Sequence, residues 1–547
     1  MIISQQKLNE KMIGFEYIAK DCIKTIEFGC DAEEISENAY NQYVLEVKHT
    51  GRKDLELIPS TYYEALKRAE PIVSNISSFK EEVRKEVPEQ MMIALKGYQI
   101  ECVYRMVSQR RLLNACMMGT GKTIQAICSI LMLRAGKTDF VDLVICPGCL
   151  RSNWHHEFTK WAPSIPIQVI AKVGNTVELI QEYVNKVFTF TGVTIISYEI
   201  FSKLAGSLKQ SERSKKYFNT IVCDESQYLK DSESARVRNS SAFIQNAKNL
   251  FLMTGTPSPN RPVELYTQLR LIDSTTFTTK RIFTDRYCYG HVDRWGKYDS
   301  RGASNIRELS LLLSKYMVRV LQPDYIMPSV TRTVTDVQPS NLPVNHDILL
   351  REVFNRLNEG NDSTAQVQAA ISQLFRDTAA AKIFPVLNFL QERLPFGEKV
   401  ILFCVHMVMF DAVRSFLRDN NIKFIGINGG MPVQARDDAV SRFLSEDEEE
   451  GADVALLTLG TCSTGINLVP VRRAIFLELH WTPATIHQAE CRINRIGGAS
   501  ELTYEYIIAA RTLDKYVYNM LFKKNSTVSN IIDQGKENGT FDFTVKP

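Results

Sequence analysis

One short turn has the residue types that bind phosphate: Gly119, Thr120, Gly121, Lys122 and Thr123. Glycines let backbone N–H groups wrap a polyphosphate, and a following helix adds the partial positive charge of its N-terminus. A lysine at this spacing reaches the β- and γ-phosphates, and the threonine hydroxyl binds Mg²⁺. Cys116 stands where the strict Gly-x-x-x-x-Gly-Lys-Thr pattern has its first glycine. A glycine turn that merely precedes a lysine is therefore the alternative.

Two acidic residues, Asp224 and Glu225, follow the apolar run Thr220–Cys223 and so lie at the C-terminal end of a predicted strand. An aspartate there can hold the Mg²⁺ that Thr123 also binds, and the adjacent glutamate can orient or deprotonate a water. The alternative is an exposed acidic loop. After the next apolar run, Thr254 and Gly255 begin a turn that places hydroxyls and a glycine backbone beside the phosphates.

Upstream of the glycine turn, Tyr98 and Gln99 are candidates for contact with an adenine base. A glutamine amide offers the donor and acceptor that an adenine edge needs, and a tyrosine ring offers an aromatic face. A lone glutamine is more often a surface residue, so this interpretation depends on its context.

In the second half of the chain, Gln488, Arg492 and Arg495 have the spacing of one helical face, at i, i+4 and i+7. Two arginines on one face suit a salt-bridged surface. They equally suit arginine fingers that present fixed positive charge to a γ-phosphate.

These residues need elements that position them, and the pattern from residue 92 onward predicts an α/β fold. Apolar runs alternate with helical patterns, which is typical of a parallel sheet covered by helices on both faces. Ligands bind such sheets at the C-terminal ends of the strands. The stretch from Arg270 to Leu390 lacks the strand rhythm and is interpreted as helical insertions and a linker. The rhythm returns at Val400–Val405.

Composition narrows the class of protein. The chain has 547 residues, 44% hydrophobic and 23% charged, which suggests a soluble protein of two to four domains. A net charge of +3 gives no global signal for nucleic acid, so a DNA track must be local. No apolar run is long enough to span a bilayer, and we expect neither a signal peptide nor a membrane partner. Cys146 and Cys149 have C-x-x-C spacing, but a turn after a strand explains them better than a metal or redox site.

Taken in order, these motifs resemble those of the superfamily 2 helicases, and within them the Swi/Snf-type double-stranded DNA translocases. The segments that carry the resemblance are Gln99, Gly119–Thr123, Asp224–Gln227, Thr254–Pro257, Gly465–Leu468 and Gln488–Gly497. The resemblance is strongest to the HepA-related (HARP) annealing helicase branch, which rewinds or reverses DNA forks. Gln227 stands where the family has histidine, and Gly498 where it has glutamine. The first departure puts coupling between the nucleotide and the second lobe in question.

The resemblance implies two tandem RecA-like parallel-sheet lobes with helical insertions, plus a small α+β N-terminal module. The expected domains are a HARP-like accessory module at 1–90, an ATP-binding lobe at 91–330, a helicase C-terminal lobe at 331–525 and a tail at 526–547. The lobes would hold ATP and Mg²⁺ between Lys122, Asp224 and Glu225 on one side and the two arginines on the other, with Gly465 also at the nucleotide. DNA contacts would fall on loops opposite the nucleotide, at Cys149, Asn153, Ser197, Tyr198, His406 and Thr458.

The resemblance thus implies a DNA-dependent ATPase that translocates on duplex DNA and remodels or reanneals forks. The alternatives are a nucleosome-remodelling ATPase, a non-catalytic DNA-binding scaffold and an RNA helicase. Expected partners are duplex or forked DNA and single-strand-binding or replication proteins, with the chain itself a monomer. We expect a nuclear location if the source is eukaryotic and a cytoplasmic one otherwise.

Overall fold

The computed structural model divides into two compact units, and the division between them falls within the segment 321–327. The residues that it describes are 13–19, 22–28, 59–67, 76–208, 217–258, 261–292, 296–320, 328–358, 365–394, 398–445, 447, 451–464, 468–480, 482–494 and 498–519. Each unit is built on its own parallel sheet, so the predicted α/β class with two sheet-based lobes is confirmed.

Two short elements precede the first sheet. Strands β1 (Ile13–Ala19) and β2 (Cys22–Phe28) form an antiparallel hairpin, and helix α1 spans Ser60–Lys67. Residues 29–58 of the expected N-terminal module lie outside the described residues. The limits of the predicted N-terminal module therefore stay a prediction, as do the other domain boundaries.

The sheet of the first unit has seven strands among the described residues, in the order β11-β3-β8-β7-β4-β6-β5. All of its pairings are parallel. Its strands are β3 (Arg111–Asn114), β4 (Val141–Cys146), β5 (Ile167–Ile170), β6 (Gly192–Ser197), β7 (Thr220–Asp224), β8 (Asn249–Met253) and β11 (Met317–Val318). Two strands of two residues each, β9 (His291–Val292) and β10 (Tyr298–Asp299), pair antiparallel and do not belong to this sheet.

Eleven helices of the first unit lie before, between and after the strands of its sheet among the described residues. They are α2 (Ile76–Glu86), α3 (Glu89–Ala94), α4 (Gly97–Gln109), α5 (Lys122–Arg134), α6 (Arg151–Trp161), α7 (Val177–Thr189), α8 (Tyr198–Ser207), α9 (Ala235–Asn246), α10 (Val263–Ile272), α11 (Lys280–Tyr287) and α12 (Ile306–Tyr316). Alternate residues of one strand enter different hydrophobic clusters: Leu143 and Ile145 join one, and Val144 and Cys146 the other. Both faces of the sheet are therefore covered, which explains why its strands are continuously apolar.

The second unit repeats this plan with six described strands in the order β12-β17-β16-β13-β15-β14. They are β12 (Ser329–Val337), β13 (Val400–Cys404), β14 (Phe424–Ile427), β15 (Val454–Thr458), β16 (Arg473–Phe476) and β17 (Glu501–Ala509). Its helices are α13 (His346–Asn358), α14 (Ala365–Arg393), α15 (Met407–Asp419), α16 (Val433–Leu444) and α17 (Pro483–Glu490). Within the parts of the chain that the structure describes, no helix is both long and apolar enough to cross a membrane.

The interpretation of Arg270–Leu390 as helical insertions and a linker was wrong in part, because strands β9 to β12 lie inside it and β11 and β12 belong to the two parallel sheets. Helices do dominate the stretch, but β12 lies inside it and pairs in parallel with β17 over nine residues, Ser329 to Val337. This edge strand is mostly half-buried or exposed. Because it carries polar residues on both sides rather than a continuous apolar run, the pattern that located the other strands did not locate it.

A buried ion pair joins β12 to helix α17. The guanidinium of Arg332 donates two hydrogen bonds to the carboxylate of Glu490, at 2.8 and 2.9 Å. The hydroxyl of Tyr506, on β17, donates to the same carboxylate, and that of Tyr504 donates to the Glu490 carbonyl at 2.9 Å. Burial opposes ionisation of Glu490, but the charge and hydrogen bonds of Arg332 outweigh it and hold the pKa of the carboxyl at about 2. Ionised Glu490 therefore stabilises the unit fully above pH 4.5, and this stabilisation is lost as the pH falls toward 2.

Replacing Arg332 with alanine is expected to lower the free energy of unfolding of the second unit by about 3–5 kcal/mol, because it leaves a buried carboxylate without its counter-charge. Urea unfolding at pH 7, followed by circular dichroism, measures the loss. Arg414→Ala is the matched control, since that arginine pairs with Asp411 on the surface. Equal stability of the two variants would contradict the importance of the buried pair.

Candidate nucleotide and nucleic-acid site

The predicted phosphate loop lies between strand β3 and helix α5. Gly119 and Gly121 have φ values of +80° and +76°, in the left-handed region that favours glycine. Lys122 begins α5, and its ammonium donates to the carbonyl oxygens of Cys116 at 2.9 Å and Met117 at 3.0 Å. The lysine is therefore held over the loop, at the N-terminus of a helix, where an anion is favoured.

The carbonyl of Thr120 fixes the shape of this loop. It accepts hydrogen bonds from the Tyr98 hydroxyl at 3.0 Å, the Gln99 amide at 2.9 Å and the Gln125 amide at 3.2 Å. Gln99 also accepts from the backbone N–H of Lys96 at 2.9 Å. Both Tyr98 and Gln99 are buried. Since the Gln99 amide nitrogen bonds the loop and its oxygen caps its own helix, its role toward adenine stays a prediction.

Gly121 is needed for a second reason besides its backbone conformation. A Cβ at this position would lie 2.3 Å from Nε2 of Gln99. In Gly121→Ala this clash would add to the strain of a side-chain-bearing residue in the left-handed backbone conformation, which is roughly 1–2 kcal/mol. We therefore expect the ATP affinity of the variant to fall about tenfold or more. Titration with a fluorescent ATP analogue measures this. Gly136→Ala is the control, because Gly136 has a φ of +68° but nothing within 4 Å of its Cβ position. Equal ATP affinity of the two variants would contradict the role of the Gln99 contact.

Asp224 and Glu225 follow β7, as predicted. Oδ2 of Asp224 accepts a hydrogen bond from the indole N–H of Trp154 at 2.9 Å, and its Oδ1 accepts from the Glu225 backbone at 3.0 Å. Burial and the charge of Glu225 raise the pKa of Asp224, and the charge of Lys122 acts in the opposite direction. Glu225 has a φ of +51°, uncommon for a residue with a side chain, and its carboxylate accepts from the Gln227 amide at 2.8 Å.

The donor chemistry of this edge suits Mg²⁺. A hard cation of this size takes carboxylate and hydroxyl oxygens, which Asp224 and Thr123 carry. Lys122, adjacent to Thr123, lies close enough to Asp224 for its charge to affect the carboxyl. The residues therefore fit the cation, and their assignment to it stays a prediction.

Thr254 and Gly255 follow β8, between the phosphate loop and the acidic pair along the sheet. Thr254 is buried, and its hydroxyl accepts from the backbone N–H of Thr256 at 3.0 Å. Gln268 on α10 joins this turn to the turn that begins with Asp224 and Glu225. Its amide oxygen accepts a hydrogen bond from the Ser226 hydroxyl at 2.8 Å, and its amide nitrogen donates one to the Pro257 carbonyl at 2.7 Å.

Sequence reasoning assigned no role at the site to three of the side chains that surround it. They are Trp154, which contacts Asp224; Gln268, which joins two turns; and Arg319, which donates to the carbonyls of Ala115 at 2.5 Å and Gly255 at 3.3 Å. Each contact links residues that are tens of positions or more apart in the chain. Local spacing therefore could not reveal them.

The segments predicted to contact DNA occupy the same edge of the sheet as the phosphate loop. The three turns predicted to bind nucleotide, which we call the nucleotide turns, follow β3, β8 and β7. The predicted DNA segments at Cys149–Asn153 and Ser197–Tyr198 follow the next two strands of the sheet, β4 and β6. The expectation that they lie on loops opposite the nucleotide was wrong for this unit. Because all strands of the sheet are parallel, every loop after a strand emerges at one edge.

The individual DNA candidates of the first unit differ in exposure. Asn153 is exposed, and Cys149 is half-buried in a short helical turn, Gly148–Leu150. Ser197 is buried and caps α8, since its hydroxyl accepts from the Ile200 N–H at 3.3 Å. Tyr198 is buried and donates its hydroxyl to the Asp224 carbonyl at 2.8 Å.

In the second unit, His406 and Thr458 lie at the C-terminal ends of the adjacent strands β13 and β15. The His406 ring contacts the carboxylate of Glu478 at 2.7 Å, and that carboxylate also accepts the backbone N–H groups of Val405 and His406. Thr458 is buried, and its carbonyl accepts from the hydroxyl of Thr461 at 2.6 Å.

The predicted helical face of Gln488, Arg492 and Arg495 was wrong, because α17 ends at Glu490. Arg492 lies in the turn that follows, where its backbone N–H donates to Ala489 at 3.0 Å and its carbonyl accepts from Leu468 at 3.2 Å. Gln488 and Arg492 are both buried, and Nε of Arg492 has no hydrogen-bond partner among the described residues. Arg495 and Gly465 lie outside those residues.

This arrangement can be compared with known families. A family model for the SNF2-related domain matches residues 98–380, and one for the helicase conserved C-terminal domain matches residues 382–497. The chain belongs to the SNF2-related family. The two matches cover the nucleotide turns of the first unit and the arginine segment of the second, and the resemblance to Swi/Snf-type translocases is confirmed.

The SNF2-related chain is also similar to curated animal proteins. It is 30% identical over 456 residues to the "SWI/SNF-related matrix-associated actin-dependent regulator of chromatin subfamily A-like protein 1" of Xenopus tropicalis, covering 81% of this chain and 46% of that protein. The Drosophila melanogaster protein of the same name is 31% identical over 462 residues, covering 81% and 58%. The "DNA annealing helicase and endonuclease ZRANB3" of Bos taurus is 29% identical over 461 residues, covering 82% and 42%. The chain thus spans about half the length of the relatives that it matches.

Proposed function

We propose that this chain is an ATP-dependent translocase on double-stranded DNA that remodels or reanneals forked DNA. The observation that carries the proposal is the order of turns along one sheet edge: phosphate loop, Thr254–Pro257, Asp224–Glu225, then the candidate DNA segments. Membership of the SNF2-related family supports an ATPase, and relatives named DNA annealing helicases support forked DNA as the substrate.

In the proposed reaction the loop N–H groups and Lys122 hold the phosphates of ATP. Thr123 and Asp224 hold Mg²⁺, which supplies charge neutralisation at the phosphates when bound. Glu225 orients the attacking water and accepts its proton, and its bond from Gln227 limits where that carboxylate points. Arg492 and Arg495 supply positive charge to the transferring phosphoryl group.

The proposed DNA contacts involve mainly phosphates. They would be independent of sequence, and the affinity would fall as salt is raised, because cations are released when phosphates are neutralised. Exposed Asn153 and the end of the short turn Gly148–Leu150 are the parts of the first unit that are placed to make such contacts.

The test is a comparison of ATP hydrolysis rates with duplex DNA, forked DNA, single-stranded DNA and RNA at one salt concentration. We expect duplex or forked DNA to stimulate hydrolysis about tenfold or more over the DNA-free rate, and displacement of a triplex-forming strand to report translocation. Greater stimulation by RNA would favour an RNA helicase. ATP binding without any stimulation by nucleic acid would favour a scaffold.

A nucleosome-remodelling ATPase is the second candidate, because the name of one similar protein refers to chromatin. Sliding of a positioned nucleosome together with failure to reanneal a fork would favour it. The proposal also includes a monomeric chain, partners among single-strand-binding or replication proteins, and a nuclear location in a eukaryotic cell or a cytoplasmic one otherwise.

A further inference from the structure

The carboxylate of Asp224 is oriented by an aromatic residue from a different strand–helix connection. Trp154 is fully buried, and its indole N–H donates to Oδ2 of Asp224 at 2.9 Å. Buried indoles usually find an acceptor. Here the acceptor is the carboxylate that the sequence assigns to Mg²⁺, rather than a nearby carbonyl.

The helix that carries Trp154 begins beside a candidate DNA segment. Helix α6 follows the turn Gly148–Leu150, and the exposed Asn153 directly precedes Trp154. The start of the helix is fixed by Arg151, which donates to the carbonyls of Gly148 at 3.0 Å and of Ile170 at 2.8 Å. The turn and the indole therefore belong to one continuous segment, 148–154.

The neighbouring connection reaches the same residue. Tyr198, at the start of α8, is buried and donates its hydroxyl to the backbone carbonyl of Asp224 at 2.8 Å. Its ring stacks on that of Tyr228, with centroids 5.5 Å apart and planes 6° apart. Two adjacent loop–helix connections thus hold Asp224, one by its side chain and one by its backbone.

We propose that Trp154 is a positioning residue that links DNA contact at the turn 148–153 to the orientation of the Asp224 carboxylate. DNA bound at this turn keeps the start of α6 in the position described here and so keeps the indole N–H on Oδ2, and hydrolysis accelerates because the carboxylate stays in its metal-binding orientation for more of the time. This inference rests on the proposed function and names a route by which DNA stimulates that activity.

The test compares Trp154→Phe with Trp161→Phe in the full chain. Both variants remove an indole N–H from α6, but Trp161 donates to Glu157 at 2.8 Å, away from the nucleotide turns. Three quantities are measured: Mn²⁺ affinity by electron paramagnetic resonance with a non-hydrolysable ATP analogue, duplex affinity by anisotropy, and the stimulation of hydrolysis by duplex DNA. For Trp154→Phe we expect about tenfold weaker Mn²⁺ binding and about tenfold less stimulation, with duplex affinity within about twofold. Trp161→Phe is expected to match the unaltered protein.

A folded Trp154→Phe variant with unaltered Mn²⁺ affinity and stimulation would overturn the inference. If this variant does not fold, Trp154→Tyr and its control Trp161→Tyr replace the pair, and equal Mn²⁺ affinities in these two would overturn it. Absence of DNA stimulation in the unaltered protein would instead refute the proposed function, while the Mn²⁺ measurement would still test whether Trp154 positions Asp224.

Discussion

Replacing Glu225 with glutamine is expected to lower the DNA-stimulated kcat for ATP hydrolysis by about 10²–10⁴-fold, while ATP affinity stays within about twofold. Glutamine keeps the size and the acceptor oxygen of the side chain but cannot take a proton from water. It also retains a partner for the Gln227 amide, which bonds the carboxylate at 2.8 Å. The loss should therefore appear in turnover rather than in binding.

The measurement is steady-state phosphate release with saturating duplex DNA, alongside nucleotide binding by fluorescence. Glu233→Gln is the matched control, because Glu233 is exposed eight positions along the same connection. Normal turnover in Glu225→Gln would remove Glu225 from the proposed mechanism and leave the water to be oriented by another group.

Arg495→Ala is expected to reduce DNA-stimulated hydrolysis by about 10³-fold or more, with ATP binding intact, since an arginine finger acts on charge that develops in the transition state. Arg492→Ala should act in the same direction.

Single-turnover hydrolysis with prebound ATP separates this effect from binding. Arg495→Lys keeps the charge but loses the planar fork, and we expect it to restore only part of the rate. Arg414→Ala on the exposed surface of α15 is the control. Unchanged turnover in both Arg492→Ala and Arg495→Ala would reject the finger assignment.

Much of the fold could be predicted because its strands are buried on both faces. The apolar run Thr220–Cys223 corresponds closely to β7, and Val400–Val405 corresponds closely to β13. The edge strand β12 could not be found in this way, because only one of its nine residues is fully buried. Edge strands need fewer apolar residues, so their periodicity is weak.

The site could be predicted where its residues lie together in the chain, as in the turn Gly119–Thr123. The end of helix α17 could not be predicted, because the turn at Arg492 is held by a hydrogen bond from Leu468, which is distant in sequence. The same holds for the contact of Trp154 with Asp224. Such long-range hydrogen bonds depend on strand order, which spacing within one segment does not encode.

The carbonyl of Thr120, with its three side-chain donors, has one more consequence. These hydrogen bonds hold the turn in its glycine-dependent shape whether or not an anion is present. Binding of a triphosphate therefore need not order a mobile backbone. Less conformational entropy is then lost on association. For the same set of contacts, a loop preorganised in this way is expected to bind a triphosphate more tightly than a loop that must first be ordered.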